Sequence, residues 1–588
     1  MSFNEYYQEE LAYLREMGEE FARTNPKLAP FLARKGNDPD IERLLEGFAF
    51  IAGRIRQKLD DEIPEFTQAL ISLIWPNLLR PLPSASILQF LPAKNAITER
   101  KKIERGELVS SVEVEGTLCQ FRTCYDVDLY PMDLAVVDYH KSGTKAFLNI
   151  GLIVHPSSNI RQGKMQKLRF FINGEPHISQ AVYLWIFKYL KNVQVKIKNT
   201  QGETADKTLE PGSVKPVGFA EDQHMLPYEK NSFAGYRLLQ EYFTLPQKFY
   251  FFDIDDLEKI NYANMATEVN LTFEFVRPME DNVRLEIKNF LLYCTPIINL
   301  FQVDSEAIQI QMGKIDYDIL PATKNPFHHE IYAMEKVQGS VRGESGLRTY
   351  RPFLSYAYNF QSPETQEVFY KTKVNNSVAG RGLDTQISFV DISDKSVIPD
   401  AETISIELLC TNRHLAEKLR IGDIQIPTGS MPEIGGCTSL LPPTVSIAPP
   451  IGKDLHWFLI SNLSLNYNSL MSIDALRLML ATYNFYAFND KQAQRVNEQR
   501  MQGLESLTVV PSTVVYRGTP IRGLKTRLDM RSSKFGGEGE MFLFAAILNE
   551  FFAQYVSVNS FNQLTVKDLD RGEEYQWKPY LSAQQPIS

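Results

Sequence analysis

Residues 268–275 read Glu-Val-Asn-Leu-Thr-Phe-Glu-Phe, so polar and apolar side chains alternate along the whole stretch. Successive side chains of a strand point to opposite faces, and this alternation therefore predicts a strand with one face buried and one face in water. Strands of this kind belong mainly to antiparallel sheets. The same alternation recurs at residues 193–198, 307–312 and 403–408.

The alternating stretches are confined to the middle of the chain, where turn-forming Gly, Pro and Asn residues separate them. The polar residues 199–206 predict a loop or a hairpin tip between two strands. We therefore predict two mainly antiparallel β-rich domains, the first at residues 85–305 and the second at residues 306–460.

The N-terminal part of the chain has a different period. Apolar residues recur every three or four positions within residues 3–21 and again within residues 41–59, which predicts two amphipathic helices. Asp38, followed by a proline, is a suitable N-cap for the second helix. Two prolines within residues 80–84 favour extended backbone and indicate a boundary. A helical N-terminal segment is predicted at residues 1–84.

Helical spacing returns near the C-terminus. Ser472 begins a predicted helix that runs to residue 483, and residues 507–515 predict a strand. Residues 540–555 predict a helix that is apolar on nearly all sides, and such a helix is buried in a core or against a partner. We predict a mixed C-terminal domain at residues 461–588. The predicted fold class is α+β, without internal repeats.

The amino-acid composition limits the kinds of molecule that the protein is expected to bind. The 588 residues are 44% hydrophobic and 23% charged, which predicts several folded domains and not a disordered chain. A net charge of −9 argues against a nucleic-acid partner, because such binding needs clustered positive charge. The longest apolar stretches, residues 290–301 and 541–548, are too short to cross a bilayer, so no membrane insertion is expected.

Five cysteines form no disulfide framework, and reduced thiols are expected. The first residues have neither a basic region nor an apolar region of a secretion signal, and the expected location is the cytoplasm.

The metal-binding motifs are incomplete. His329-Glu330 begins like a zinc-protease motif, but Ala333 stands where the second histidine is needed. Cys119 and Cys124 have no second close pair to complete a zinc site. We expect structural histidines and buried thiols at these positions, and no metal or cofactor.

The acidic and glycine-rich stretches also lack a complete catalytic pattern. Asp126 and Asp128 share a face if they lie in a strand, but their spacing does not fix the separation that acid–base catalysis needs. The aspartates within residues 253–256 predict a solvated acidic turn. The glycines at 380–382 and 536–539 lack the lysine or third glycine of a phosphate loop. The chain is not expected to be an enzyme.

Several blocks of sequence together are similar to one protein family. The most specific block is residues 38–50, DPDIERLLEGFAF, and no block by itself is a chemical motif. The combination resembles the TssF family of type VI secretion baseplate proteins, also called VasA or ImpG. The other blocks are residues 6–15, 58–61, 81–84, 119–123, 294–301, 410–413, 457–470 and 543–561.

The resemblance implies a non-enzymatic baseplate wedge that supports assembly of the tail tube and sheath. TssF-like proteins are expected to pair with TssG, with two TssF copies per TssG. They are also expected to engage TssK and TssE, to surround the VgrG spike, and to dock indirectly at the inner-membrane complex. Two other interpretations stay open. One is a contractile phage tail baseplate wedge protein, and the other is a β-rich carbohydrate-active enzyme or glycan-binding module.

The blocks supply candidate partner contacts, each with a structural alternative. The residue 38–50 block is either an ordinary helix start or a partner-binding helix, and the two arginines form either internal ion pairs or interface contacts. The aromatic pair belongs either to the core or to an interface. The candidates are Leu44, Leu45, Phe48, Arg122, Arg413, Phe551 and Phe552.

Overall fold

The structure is a computed structural model, and every structural statement below concerns the residues that it describes. Those residues are 3–24, 40, 43–55, 71, 76–93, 97–156, 158, 160, 165–228, 234–260, 265–341, 346–353, 368–376, 382–391, 396–397, 399, 401–428, 435–449, 472–516, 518–556 and 560–581. The predicted N-cap Asp38 lies outside them.

The described chain forms two compact units. One lies within residues 1–79, and the other contains residues 80–449 together with the C-terminal residues from 472 onward. The predicted division at residues 84, 305 and 460 stays a prediction.

The helices lie at the two ends of the chain and in two short middle segments. Residues 43–55 are helical, as the apolar period predicted. The predictions for residues 3–21, 472–483 and 540–555 are also confirmed. The labelled helices are α1 (Phe3–Thr24), α2 (Pro176–Leu184), α3 (Ala234–Thr244), α4 (Ile473–Thr482), α5 (Tyr486–Asn489), α6 (Lys491–Gln502) and α7 (Glu538–Gln554).

The first sheet has six strands in the order β24-β3-β4-β15-β1-β25, all antiparallel. It joins strands from both sides of residue 305. Its strands are β1 (Ala85–Pro92), β3 (Leu108–Val114), β4 (Thr117–Thr123), β15 (Cys294–Ile298), β24 (Ile424–Pro427) and β25 (Gly435–Ser439).

The second sheet contains the alternating stretch 268–275 as its central strand, in the order β10-β9-β13-β7-β6. Val269, Leu271 and Phe273 are buried, and the intervening side chains are exposed or half-buried. The strand prediction is confirmed. The strands are β6 (Met132–Ser142), β7 (Lys145–Val154), β9 (Leu190–Asn199), β10 (Thr204–Leu209) and β13 (Ala266–Phe275).

Two smaller sheets lie nearby in the sequence. The four-stranded sheet has the order β11-β12-β8-β14, and β2 pairs with β5. Their strands are β2 (Lys101–Ile103), β5 (Val127–Leu129), β8 (Leu168–Ile172), β11 (Val214–Pro216), β12 (Phe251–Ile254) and β14 (Phe290–Leu292).

The largest sheet has the order β16-β23-β19-β20-β21-β22-β18, with β17 also on β23. The strand predicted at residues 307–312 is only two residues long. The backbone N–H of Gln311 does not pair with a strand and instead donates to the Tyr317 hydroxyl oxygen in a turn. The strands are β16 (Phe301–Asp304), β17 (Ile308–Gln309), β18 (Asp316–Asp318), β19 (Glu330–Val341), β20 (Leu347–Pro352), β21 (Phe369–Asn376), β22 (Leu383–Val390) and β23 (Ala401–Thr411).

The C-terminal sheet has the order β26-β27-β28-β29, and β30 pairs with β28. The strand predicted at residues 507–515 is confirmed as part of β26. The β27–β28 pair is parallel. The strands are β26 (Leu504–Tyr516), β27 (Thr519–Met530), β28 (Phe561–Asp568), β29 (Glu574–Gln576) and β30 (Tyr580–Leu581).

Helix α7 lies at the centre of an aromatic core and packs against α2 and α3. Phe542 lies 6.2 Å from Tyr183 of α2, and Phe544 lies 5.5 Å from Tyr242 of α3, between ring centroids. An added Cβ at Gly539 would collide with the backbone carbonyl of Gln180. Gly539 is therefore tightly packed in the first turn of α7. Together with the separate sheets, this helical core confirms the predicted α+β class.

Candidate partner-binding surface

The helical residues 43–55 carry large apolar side chains on the outside and small residues on the inside. Ala49 and Gly53 are buried. In contrast, four large side chains, spaced four, three and four residues apart, are each more than half exposed. We name this set the apolar stripe: Leu44 (65% exposed), Phe48 (67%), Ile51 (58%) and Ile55 (56%).

A surface helix usually packs its large apolar side chains into the core of its own chain, whereas the apolar stripe exposes them. Leu45 is half-buried and lies beside the stripe, so two of the three predicted residues in this helix, Leu44 and Phe48, belong to the exposed face. An added Cβ at Gly47 would contact nothing. A contiguous exposed apolar face of this kind marks an interaction site.

Arg122 lies in β4, between β3 and β15, and is half-buried. Burial lowers the pKa of its guanidinium. Within the described residues it forms no ion pair, so the internal alternative is not found there. Contact of Arg122 with a partner stays a prediction.

Arg413 forms internal contacts, which is one of the two alternatives that the sequence left open for it. Its Nε donates to the His329 carbonyl at 2.8 Å, and its Nη2 donates to the Leu383 carbonyl and to Asp384 Oδ1, both at 3.2 Å. Its backbone has a positive φ of 49°. The side chain is buried and joins the ends of β19, β22 and β23. These contacts assign Arg413 to the interior of the large sheet and not to a surface.

Phe551 and Phe552 are core residues. They are 0% and 2% exposed, and the Phe551 ring lies 5.9 Å from the ring of Tyr236 on α3. The sequence left a choice between core and interface for this pair. Their burial within the chain favours the core alternative, and contact of this pair with a partner stays a prediction.

A buried carboxylate in α7 organises a polar cluster that the sequence analysis missed. Glu538 Oε1 accepts from the Tyr575 hydroxyl at 2.5 Å, and Oε2 accepts from Arg571 Nη1 at 2.8 Å. Its side chain is only 5% exposed. We name this set the Glu538 cluster: Tyr189, Arg277, Glu538, Arg571, Glu573 and Tyr575.

The Glu538 cluster ties the middle of the chain to its C-terminal part. Arg277 donates to Glu573 at 2.5 Å and to the Tyr189 hydroxyl oxygen at 2.6 Å. Its guanidinium carbon lies 3.9 Å from the Tyr189 ring centroid, a cation–π arrangement. Burial and the neighbouring Glu538 raise the pKa of Tyr575, which therefore stays a neutral donor. No local pattern signals this cluster, because its members are separated by up to several hundred residues.

The acidic residues considered for catalysis are paired with bases. Asp126 and Asp128 line an open groove of about 600 Å³. Asp126 lies 2.8 Å from Lys102, and Asp128 lies 2.8 Å from Arg100. Burial raises the pKa of Asp126, but the hydrogen bonds from Lys102 and from the Arg105 backbone, together with the charges of Lys102 and Lys167, outweigh it, so the net shift is downward. A general acid at neutral pH needs the opposite shift.

The predicted solvated turn is wrong for Asp253. Its carboxylate is buried and accepts two bonds from Arg169, at 2.6 and 2.8 Å. Asp253 lies in β12, and Asp255 and Asp256 follow that strand and are paired with Lys215 and Lys259. The turn is therefore an ion-paired structural element.

The five cysteine thiols and the His329 ring are buried inside the chain. All five cysteines are buried and free, and burial raises the pKa of Cys119 to about 11 and that of Cys124 to about 12. His329 Nδ1 lies 3.0 Å from the Asn325 carbonyl, and burial lowers the pKa of its ring. Across the described ranges, no group of three or more His, Cys, Asp or Glu is placed to hold a metal ion.

The sequence of nearly the whole chain matches one family. Residues 1–584 match the model of the family described as type VI secretion system, TssF. The chain belongs to the TssF family. It is 29% identical over 625 aligned residues to the type VI secretion system component TssF1 of Pseudomonas aeruginosa, with 98% of both chains covered. The resemblance seen in the sequence blocks is confirmed.

The fold of this chain is also similar to chains of solved baseplate structures. A chain of the TssK-TssF-TssG baseplate subcomplex, determined by cryo-electron microscopy, matches with a TM-score of 0.74 and 27% identity. The match covers 92% of this chain and 100% of that chain. A chain of the baseplate complex from the type VI secretion system has the same fold, with a TM-score of 0.60, 22% identity and 100% of both chains covered.

These findings identify a type VI secretion baseplate component, and TssF is a structural family of that baseplate. Among the helices that the structure describes, none combines the length and the apolar character needed to cross a membrane.

Proposed function

We propose that this chain is a non-enzymatic wedge subunit that holds its neighbours in the baseplate and supports tail tube and sheath assembly. Two copies bind one TssG, and the wedge engages TssK and TssE around the VgrG spike. The wedge is cytoplasmic and docks indirectly at the inner-membrane complex. A TssF chain in complex with TssK and TssG in a related solved structure supports this assignment.

The apolar stripe carries the proposal. Each of its four side chains is more than half exposed, and complete burial of such side chains stabilises by about 1.5 to 3 kcal/mol each. Covering the exposed part therefore contributes roughly 1 kcal/mol per residue, or about 4 kcal/mol for the stripe. A helix from TssG or from the second TssF copy would bury this stripe by side-chain packing between helices.

The chemistry of the remaining sites is consistent with a scaffold. The groove carboxylates Asp126 and Asp128 are paired with bases, and the thiols are buried with raised pKa values. Within the described residues, no observation favours a glycan-active enzyme. The TssF family match favours a secretion baseplate over a phage tail baseplate.

Co-purification with a tagged TssG tests the proposal through a matched pair of phenylalanine variants. Phe48→Asp places a charge on the apolar stripe, whereas Phe327→Asp changes a phenylalanine of similar exposure, 64%, in the other unit. We expect Phe48→Asp to lose TssG and Phe327→Asp to retain it, with unchanged circular dichroism for both. Retention of TssG by folded Phe48→Asp would contradict the role of the stripe.

A further inference from the structure

The hairpin of β26 and β27 extends beyond the sheet that supports it. Strand β28 pairs with β27 from Leu524 onward, and Ser560 donates to the Arg522 carbonyl at the limit of that pairing. Past this point, the described residues show β26 and β27 paired with each other and with no further strand, from Ser512 opposite Gly523 to Tyr516 opposite Thr519. We name residues 511–516 and 518–523 the ribbon.

The described part of the chain leaves much of the ribbon exposed. Val515 is 70% exposed, and Val510 at its base is 53% exposed. Two-stranded ribbons are marginally stable in water unless something packs against them. The ribbon is nevertheless rich in β-branched residues, which suit a half-buried strand.

Among the strands that the structure describes, β26 lies at the edge of its sheet. Alternate residues of an edge strand direct their N–H and C=O groups away from the sheet, where a further strand can pair with them. Proline in a strand occurs where its missing N–H faces the open side. Pro511 therefore identifies the open side of β26. Thr513 and Val515 lie two and four residues further along the strand, so their N–H groups point to the same open side.

The sequence that contains the ribbon is positively charged, although the protein as a whole is acidic. Residues 507–526 contain Arg517, Arg522 and Lys525 and no acidic residue, although the chain has a net charge of −9. Arg522 is exposed. The charge complementary to this ribbon is negative, and its exposed aliphatic side chains call for apolar contacts.

We propose that the open edge of β26, from Ser512 to Tyr516, accepts an extended segment of a partner protein as an additional strand, with acidic and apolar residues alternating in that segment. Main-chain bonds to the edge supply affinity, and alternate side chains supply specificity, as in β-strand addition generally. This surface is separate from the apolar stripe, and it can be tested without TssG.

The test uses the full-length chain and a fluorescein-labelled peptide of about ten residues in which glutamate and valine alternate. Fluorescence anisotropy measures its affinity, and a lysine–valine peptide and a DNA duplex serve as comparison probes. We expect the acidic peptide to bind at least about tenfold more tightly than the lysine peptide, and to slow amide exchange in residues 512–516. Equal binding of both peptides, or preferred binding of the duplex, overturns the proposal.

Two variants distinguish pairing at the strand edge from nonspecific peptide binding. Thr513→Pro removes an outward N–H and should weaken acidic-peptide binding about tenfold. Arg522→Glu keeps the backbone intact and should also weaken it, by about fivefold, through charge alone. If amide exchange shows that Thr513→Pro disturbs the hairpin, the peptide affinity of Arg522→Glu becomes the deciding measurement. Unchanged affinity in Arg522→Glu overturns the charge complementarity, and unchanged affinity in a folded Thr513→Pro overturns the edge pairing.

Discussion

Glu538→Gln is expected to destabilise the large unit although it preserves the shape of the side chain. The carboxylate is 5% exposed and accepts from Tyr575 at 2.5 Å and from Arg571 at 2.8 Å. A glutamine keeps one acceptor oxygen, but its NH₂ group must then face another donor.

The magnitude follows from these contacts. A hydrogen bond to a charged group contributes about 1.5 to 3 kcal/mol, and a neutral acceptor supplies about half as much, so the bonds from Tyr575 and Arg571 each weaken by roughly 1 kcal/mol. The amide NH₂, directed at a donor, costs about 1 kcal/mol more. Arg571 is 42% exposed and recovers part of its loss from water, which leaves a net destabilisation of about 2 to 3 kcal/mol.

Urea unfolding followed by tryptophan fluorescence measures this effect, because Trp185 and Trp577 lie beside the Glu538 cluster. Arg277 lies 5.4 Å from the Trp185 ring centroid, and Phe542 stacks on Trp577. With an m-value of about 3 kcal/mol per M, the midpoint should fall by about 0.5 to 1 M.

Glu574→Gln is the matched control for this experiment. Glu574 adjoins the cluster in sequence, but its side chain is 52% exposed and its ion pair with Arg527 spans 3.3 Å. Exposed pairs of this kind contribute little, so the midpoint should stay within about 0.2 M of the wild type. Equal midpoints for Glu538→Gln and Glu574→Gln would refute the assignment of the cluster as a major stabilising contact.

Three further predictions concern packing, pH and thiol reactivity. Gly539→Ala should lower the unfolding free energy by about 1 to 3 kcal/mol in urea denaturation, because the added methyl group collides with the Gln180 carbonyl; an unchanged midpoint would contradict this packing. Burial lowers the pKa of His224 to about 4, so the unfolded state takes up the proton first and stability should fall as the pH drops from about 6.5 towards 4. His224→Gln should flatten this decline in thermal melts, and an identical pH profile would count against it. All five cysteines are buried, so Ellman's reagent should react slowly with the native protein and rapidly with five thiols in guanidinium; fast labelling of the native protein would refute their burial.

The elements predicted correctly from sequence are those whose signal is local. The alternation in residues 268–275 and the apolar run at residues 540–555 each report burial through periodicity alone, and the structure confirms both. Residues 307–312 alternate equally well, but only Ile308 and Gln309 find a partner strand. Periodicity shows that a segment can form a strand, whereas the neighbour that completes it is set by tertiary structure.

The misassigned residues depend on contacts that are distant in sequence. Asp253 looks solvated beside other aspartates, but Arg169, which neutralises it, comes 84 residues earlier. The Glu538 cluster joins Tyr189 to Tyr575 and has no local signature. Phe552 is compatible with either a core or an interface until the helices that cover α7 are known. For the apolar stripe, the helical spacing of the sequence identifies the apolar residues. It does not show which of them remain exposed once the rest of the chain has folded.

The central claim, that the chain is a wedge scaffold assembled through its apolar stripe, is tested most directly by native mass spectrometry. The tagged chain and its TssG partner are co-expressed, and the mass of the purified complex gives the stoichiometry. The account predicts two copies of this chain per TssG for the wild type, and no such complex for Phe48→Asp. A folded wild-type chain that remains a monomer in the presence of TssG would contradict it.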